Sequence, residues 1–496
     1  MLVKHTRRNS IAIIIIYGIL LSSATALAEP DSREPGIRRK LRALAAGPFV
    51  KDWRQEAGAT TKPSGARRYV VNARGDGETV CTKEIQQAID ECASAGGGTV
   101  EFAPGDYVTG SLFIKSNVNF HIGRGVMLLG AQDDRAWPGV LTRTAGIEME
   151  WPAAMLNVRD QRNVSITGEG TVNARGKKWW DRFWAAVPEY EKKGLRWAVD
   201  YDIGRPHMMQ IWQSSDVTVQ GLTLVDSPFW TLHVVYSMHV TIDGVVVNNM
   251  VAGAKGPSTD GINIDSSAFV VVQNCDVDCN DDCYCFKAGM NADGQRVNLP
   301  AQYSMFRNCV SRRGHGGITL GSDMSGGIRH VEASGIRMFG TGNGIRFKSA
   351  AVRGGVVEDV FIHDIRMESI GSCALEMNLD WFPKFSYPKL PDGLVEIPPH
   401  WRAITTPVAA DKAIPVWRDI TIADVKGTSL KNGIFVRGLP ARALERVRLE
   451  RVTIDAAKAG SIHNAKNWTV RDTRITGLDG QPVEIKDCED VTLSMR

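Results

Sequence analysis

Short apolar runs that recur at roughly 22–26 residues, with turn residues between them, predict an all-β solenoid. Two further observations agree. Of the 496 residues 49 are glycine, and beyond one early helix almost no segment carries a helical apolar stripe. Each run is too short to bury its own apolar face, so successive runs must stack as coils. A propeller is the alternative, but its blades need about 40–50 residues. Short strands without intervening helices also argue against layered βαβ units.

The elements follow in order. Residues 1–28 read as an export signal: Lys4, Arg7 and Arg8 precede the apolar stretch 11–21, and Ala26-Leu27-Ala28 offers a cleavage site. Arg7-Arg8 also hints at twin-arginine export, and an uncleaved anchor is the alternative, because 11–28 is barely long enough to span a bilayer. An exported protein, periplasmic or secreted, is expected, with no membrane attachment after cleavage. Residues 29–68 are polar, basic and punctuated by proline, and are expected to form a strap. A helix is predicted over 82–95, where Ile85, Ala88, Ile89 and Cys92 make one stripe and Gly96-Gly97-Gly98 ends it. That helix would cover the open first coil, whose strand edges would otherwise invite aggregation. Residues 69–496 then form a single solenoid domain.

Its repeats are visible as strings. Asn163-Val164-Ser165-Ile166-Thr167-Gly168, Asp216-Val217-Thr218-Val219-Gln220-Gly221 and His239-Val240-Thr241-Ile242-Asp243-Gly244 share one pattern, and the last two begin 23 residues apart. Similar runs begin near Phe269, His330, Val356, Trp417, Leu444, Asn467 and Glu489. Insertions at 131–158, 177–205, 290–303 and 378–415 interrupt them, with a helix expected only near 186–194. The insertions carry Trp137, Trp151, Trp179, Trp180, Trp197, Trp381 and Trp401, too many aromatics for disorder. Such tryptophans either stack on sugar rings or anchor the loops.

Bulk charge excludes one class of partner. The formal charge is +4, and loss of Lys4, Arg7 and Arg8 leaves +1, so no field for nucleic acid exists. Cys275, Cys279, Cys283 and Cys285 crowd together, but C-x3-C-x3-C-x-C is not the paired C-x2-C spacing of zinc sites. Buried thiols, or one disulfide among the nine cysteines, are expected; no metal or other cofactor is.

Four signals carry the chemistry. They are Ser258-Thr259-Asp260-Gly261, Asn280-Asp281-Asp282, Gly314-His315-Gly316 and Arg346-Phe347-Lys348. Taken singly each is weak: Thr-Asp-Gly is usually a turn, an Asp-Asp pair a solvated loop or a strand cap, and Arg-x-Lys a surface charge pair. Spacing changes that. Asp282 follows Asp260 by 22 residues, about one coil, and stacked coils lie about 4.8 Å apart. His315 falls one coil later, and Arg346 with Lys348 one coil beyond it. Strand alternation puts Phe347 inward and both cations outward. Clustered carboxylates suit glycoside hydrolysis, in which one acid protonates the leaving oxygen and others activate water. Paired cations suit a substrate that bears carboxylates.

In this order the motifs resemble glycoside hydrolase family 28, the polygalacturonases and related pectin hydrolases. That family's signatures read Asn-Thr-Asp, Gly-Asp-Asp, Gly-His-Gly and Arg-Ile-Lys; here Ser258, Asn280 and Phe347 depart from them. The resemblance extends to Gly96–Phe102, Gly110–Asn117 and Ser227-Pro228-Phe229-Trp230. It implies a right-handed parallel β-helix and an inverting hydrolysis of α-galacturonosidic linkages in pectin. It makes Asp281 the general acid and gives Asp260 and Asp282 the attacking water. His315 would tune the acid, and Arg346 and Lys348 would bind uronate carboxylates. The like charges are expected to raise one carboxyl enough to keep a proton for Asp281. The large insertions and Trp381-Phe382-Pro383-Lys384-Phe385-Ser386-Tyr387-Pro388 resemble bacterial members that attack chain ends. Endo attack, or a galacturonidase acting on rhamnogalacturonan, is the alternative within the family. A calcium-dependent pectate lyase and a non-catalytic polysaccharide-binding solenoid are the alternatives outside it.

Overall fold

The structure is a computed structural model that describes residues 34, 36–394 and 396–493. The expected export signal lies outside the described residues. Thirty-three strands join in one parallel ladder that winds as a β-helix. Helix Thr82–Ser94 buries Ile85, Ala88, Ile89 and Cys92 against the first coil.

Alternation along each strand decides what reaches the core. In one column Ile262, Tyr284, Ile318, Ile345 and Leu375 stack in register, and so do Ile264, Phe286, Leu320, Phe347 and Met377. Both rows are buried in the central apolar cluster. Each such side chain contributes about 1.5–3 kcal/mol on burial, so stacking outweighs local propensity. The row between them faces outward: Asn263, Cys285, Thr319, Arg346 and Glu376. These outward residues are also buried or nearly so, because insertions lie over this column.

Several of the run starts named above sit at the corners of the coils. Asn163, Asp216, His239, Phe269 and His330 all have φ between 54° and 56°. Rings at these corners stack from coil to coil: His239 on Phe269 at 4.9 Å, Phe269 on Tyr303 at 5.5 Å and Tyr303 on His330 at 4.9 Å. The N-terminal segment packs beside this ladder, with Leu41 of helix Gly36–Ala46 and Trp53 in one cluster with Phe269 and Tyr303.

The insertions are more ordered than expected. Helix Lys177–Lys192 begins nine residues before the expected helix at 186, since Trp179, Trp180, Phe183 and Val187 supply its buried face. Residues 139–152 form an antiparallel hairpin, and Asn291–Val297 is a short helix. Arg143, fully buried, ties the hairpin to the site column by donating to Asp265 Oδ1 at 2.8 Å and Ser266 Oγ at 2.7 Å. Six of the seven insertion tryptophans, all but Trp381, are buried, and thus anchor loops rather than meet a sugar. All nine cysteines are free thiols, eight of them buried.

Candidate active site

The four sequence signals meet at one cavity of about 480 Å³ on the outer face of the site column. Register explains the meeting. Ile262 pairs with Tyr284 and Tyr284 with Ile318, so Asp260 and Asp282, each two residues earlier, stack on adjacent coils. The same register sets His315 against Asp281, and the His315 N–H donates to the Asp281 carbonyl at 2.9 Å.

Each carboxylate has its own surroundings. Asp260 and Asp281 line the cavity, whereas Asp282 lies fully buried. Lys348 Nζ donates to Asp282 Oδ2 at 2.6 Å, and Arg346 Nη1 to Asp282 Oδ1 at 3.4 Å. Lys287 Nζ lies 3.2 Å from Asp260 Oδ2, and His315 Nδ1 lies 3.4 Å from Asp281 Oδ1. The Asp282 N–H also donates to Asp281 Oδ1 at 3.0 Å.

These surroundings distribute the protons differently from the sequence-based expectation. Burial pushes the Asp260 carboxyl up to about 7; Lys287 opposes this, while Asp281 and Asp282 add to it. Burial also acts on Asp281, but the His315 imidazole outweighs it and holds that carboxyl below the usual range. Asp281 in turn raises His315. The raised carboxyl is therefore Asp260, not Asp281, and the proton of the Asp281–His315 pair rests on the imidazole. Such a pair titrates as a unit, and its macroscopic steps belong to neither group alone. Burial on Asp282 is likewise outweighed, chiefly by Lys348, and this carboxyl is held low.

A consequence for stability follows from Asp260. An aspartyl group titrates near 3.9 when unfolded and near 7 here, so its stabilising contribution is complete below about pH 4 and is lost as pH rises through 7. Asp260→Asn is neutral throughout, and is expected to melt roughly 2–4 °C above the parent at pH 8, with the gain vanishing near pH 4. Scanning calorimetry at both pH values checks this; an equal offset at both would refute it.

Arg346 and Lys348 do reach the cavity, but their charges are already engaged. Besides Asp282, Arg346 Nε donates to Glu376 Oε2 at 2.8 Å. Lys348 Nζ sits 4.5 Å from the Trp381 ring centre. Sequence reasoning did not assign Lys287, Asp323, Trp230, Arg196 or Asp200, which also line the cavity. Lys287 was findable: two places after outward Cys285, it faces outward as Lys348 does after Arg346. Trp230 was findable too, since Leu232 pairs with Ile262 and sets Trp230 beside Asp260; Asp323, Arg196 and Asp200 lie in loops or insertions and carry no periodic signal. Ligand atoms of Asp260, Asp282 and Cys285 lie within 4.8 Å of one another, but the lysine amines at 3.2 and 2.6 Å already compensate both carboxylates.

Fold and site together define an acid–base glycosidase built on a parallel β-helix. The model of the glycosyl hydrolases family 28 matches residues 139–383, and the chain belongs to that family. A Vitis vinifera protein described as a probable polygalacturonase is 29% identical over 410 residues, which cover 80% of this chain and 75% of that protein. The exo-poly-alpha-D-galacturonosidase of Dickeya chrysanthemi is 26% identical over 339 residues, covering 62% of this chain and 56% of that protein. The crystal structure of a hyperthermoactive exopolygalacturonase from Thermotoga maritima shares the fold, with a TM-score of 0.67 and 24% identity over 88% of this chain and 96% of that one.

Proposed function

We propose that the enzyme is exported and hydrolyses α-galacturonosidic linkages of pectin from chain ends, with inversion at the anomeric carbon. The observation that carries the exo reading is the convergence of three insertions. Ala145 and Ile147, Leu195 and Trp197, and Trp401 and Ile404 pack in one apolar cluster with Phe229 and Trp230. Ala145, Arg196 and Phe382, one from each of these insertions, also line the cavity beside the acids. On the coils beyond His315 the lining is polar, with Ser322, Asp323, Asn343, Arg346, Lys348 and Ser372, before the aromatic insertion resumes at Trp381. One end is thus walled by a packed body, which suits a chain terminus.

In this reading the Asp281–His315 pair protonates the glycosidic oxygen from Asp281. Asp260 and Asp282, whose oxygens lie within 4.8 Å, hold the attacking water. Below about pH 7 that pair carries one proton and one negative charge, enough for a single general base near its matched pKa. Arg346 and Lys348 keep Asp282 ionised and present their outer edges to a uronate.

Polygalacturonate and defined oligogalacturonides, with products followed by chromatography, test the proposal. Galacturonate monomer is expected from the first time points, and time-resolved NMR should show the β-anomer of the new reducing end first. A ladder of oligomers would mean endo attack, and an α-anomer would reject inversion. An unsaturated product absorbing in the ultraviolet, and lost on chelation, would mean a lyase.

A further inference from the structure

Most cations around the cavity are held by carboxylates at its floor. Lys287 lies on Asp260, and Lys348 and Arg346 lie on Asp282 and Glu376, with side chains only 5%, 6% and 11% exposed. Arg196 differs. It comes from the insertion between helix Lys177–Lys192 and the turn Val199–Asp202, at the walled end, and its side chain is 19% exposed. Its Nη1 donates to Asp200 Oδ2 at 2.6 Å. A guanidinium has five N–H donors, and among the described residues the other four have no hydrogen-bond partner. None of them is a buried orphan, so they face the cavity and solvent.

The residue is also held in place. Asp200, its partner, further accepts from Arg205 Nη2 at 3.3 Å and from Ser258 Oγ at 3.4 Å. Arg205 is itself fully buried and donates from Nη1 to the Pro257 carbonyl at 2.6 Å. The Arg196 guanidinium lies 5.7 Å from the Phe183 ring centre and 5.9 Å from that of Phe382. Phe183 belongs to its own insertion and Phe382 to the insertion at 378–415. One edge of the Arg196 guanidinium is thus paired with Asp200 while the other stays available beside the cavity. A planar fork fixed on one edge and free on the other is suited to bidentate binding of a carboxylate.

We propose that Arg196 is a specificity-determining residue that binds the carboxylate of the terminal uronate at the walled end of the cavity. This rests on the galacturonan reading above and adds to it the group that distinguishes an acidic chain end from a neutral one. It also assigns a role to Ser258, at the position where the family signature has asparagine: the hydroxyl helps to fix Asp200, and through it Arg196.

The test compares D-galacturonate with D-galactose, which lacks the carboxylate, as ligands of the parent and of Arg196→Gln. Isothermal calorimetry and competitive inhibition both give the affinities. Arg196→Gln should weaken galacturonate about 12- to 160-fold and leave galactose within about twofold, since a hydrogen bond to a charged group contributes about 1.5–3 kcal/mol. With trigalacturonate KM should rise by a similar factor and kcat should change less. Arg196→Lys should recover part of the loss, because it keeps the charge without the fork. Equal weakening of both sugars would mean that Arg196 only supports the wall, and unchanged galacturonate affinity would also overturn the proposal. If the parent cleaves no galacturonan, the reading of the reaction falls, and the two-sugar comparison still decides the role of Arg196.

Discussion

Asp281→Asn is expected to lower kcat about 10³-fold while the affinity for oligogalacturonides stays within a factor of about three. The substitution is nearly isosteric, and the amide oxygen can still accept from the Asp282 N–H that now donates to Asp281 at 3.0 Å. The register that stacks Asp260, Asp282 and His315 is therefore undisturbed. What is lost is the proton-carrying pair. Without the Asp281 charge His315 loses the main cause of its raised pKa, so it gives up its proton at a lower pH. Neither group then delivers a proton to the leaving oxygen. Steady-state kinetics on trigalacturonate, with binding by calorimetry, separates the two quantities. Near-normal turnover would remove Asp281 from the acid role, and a matching loss of affinity would mean that the site had collapsed.

Lys348→Met should have the largest effect on stability, a loss of about 3–5 kcal/mol, together with most of the activity. Asp282 is fully buried, and Lys348 makes its shortest contact at 2.6 Å. Methionine fills similar space but leaves the carboxylate to Arg346 alone, at 3.4 Å and already shared with Glu376. A buried charge that loses its partner bears the full cost of desolvation, far more than the pair contributes when intact. Adding Asp282→Asn should therefore restore much of the stability without restoring activity. Urea titrations of the parent, both single variants and the double variant measure this coupling. If Lys348→Met unfolds like the parent and only raises KM, Lys348 serves the substrate and not Asp282.

The repeat was readable because a strand's alternation is local. Ile262, Ile264, Tyr284 and Phe286 announce their inward faces in sequence, and the residues between them must then face outward. For this reason Asp260, Asp282 and His315 could be placed on neighbouring coils from spacing alone. Helix Thr82–Ser94 was readable for a similar reason, since its stripe and its glycine stop are both local. The N-terminal part of helix Lys177–Lys192 was not, because its double tryptophan resembles a loop anchor until the partner surface is known. The same holds for the tryptophan residues of the insertions: whether an indole meets a sugar or another loop depends on contacts with residues far away in the chain.

Residue types and their period determined the solenoid, the clustering of the carboxylates and the family resemblance, because each is set by side-chain direction along short strands. Only the tertiary structure decided where the protons sit, which cations are engaged and which end of the cavity is walled. Those outcomes depend on distances of a few ångströms between coils and insertions, where burial and pairing compete. The arrangement leaves Asp260 raised, Lys348 bound to Asp282 and Arg196 with free donors, and no spacing in the sequence encodes that balance.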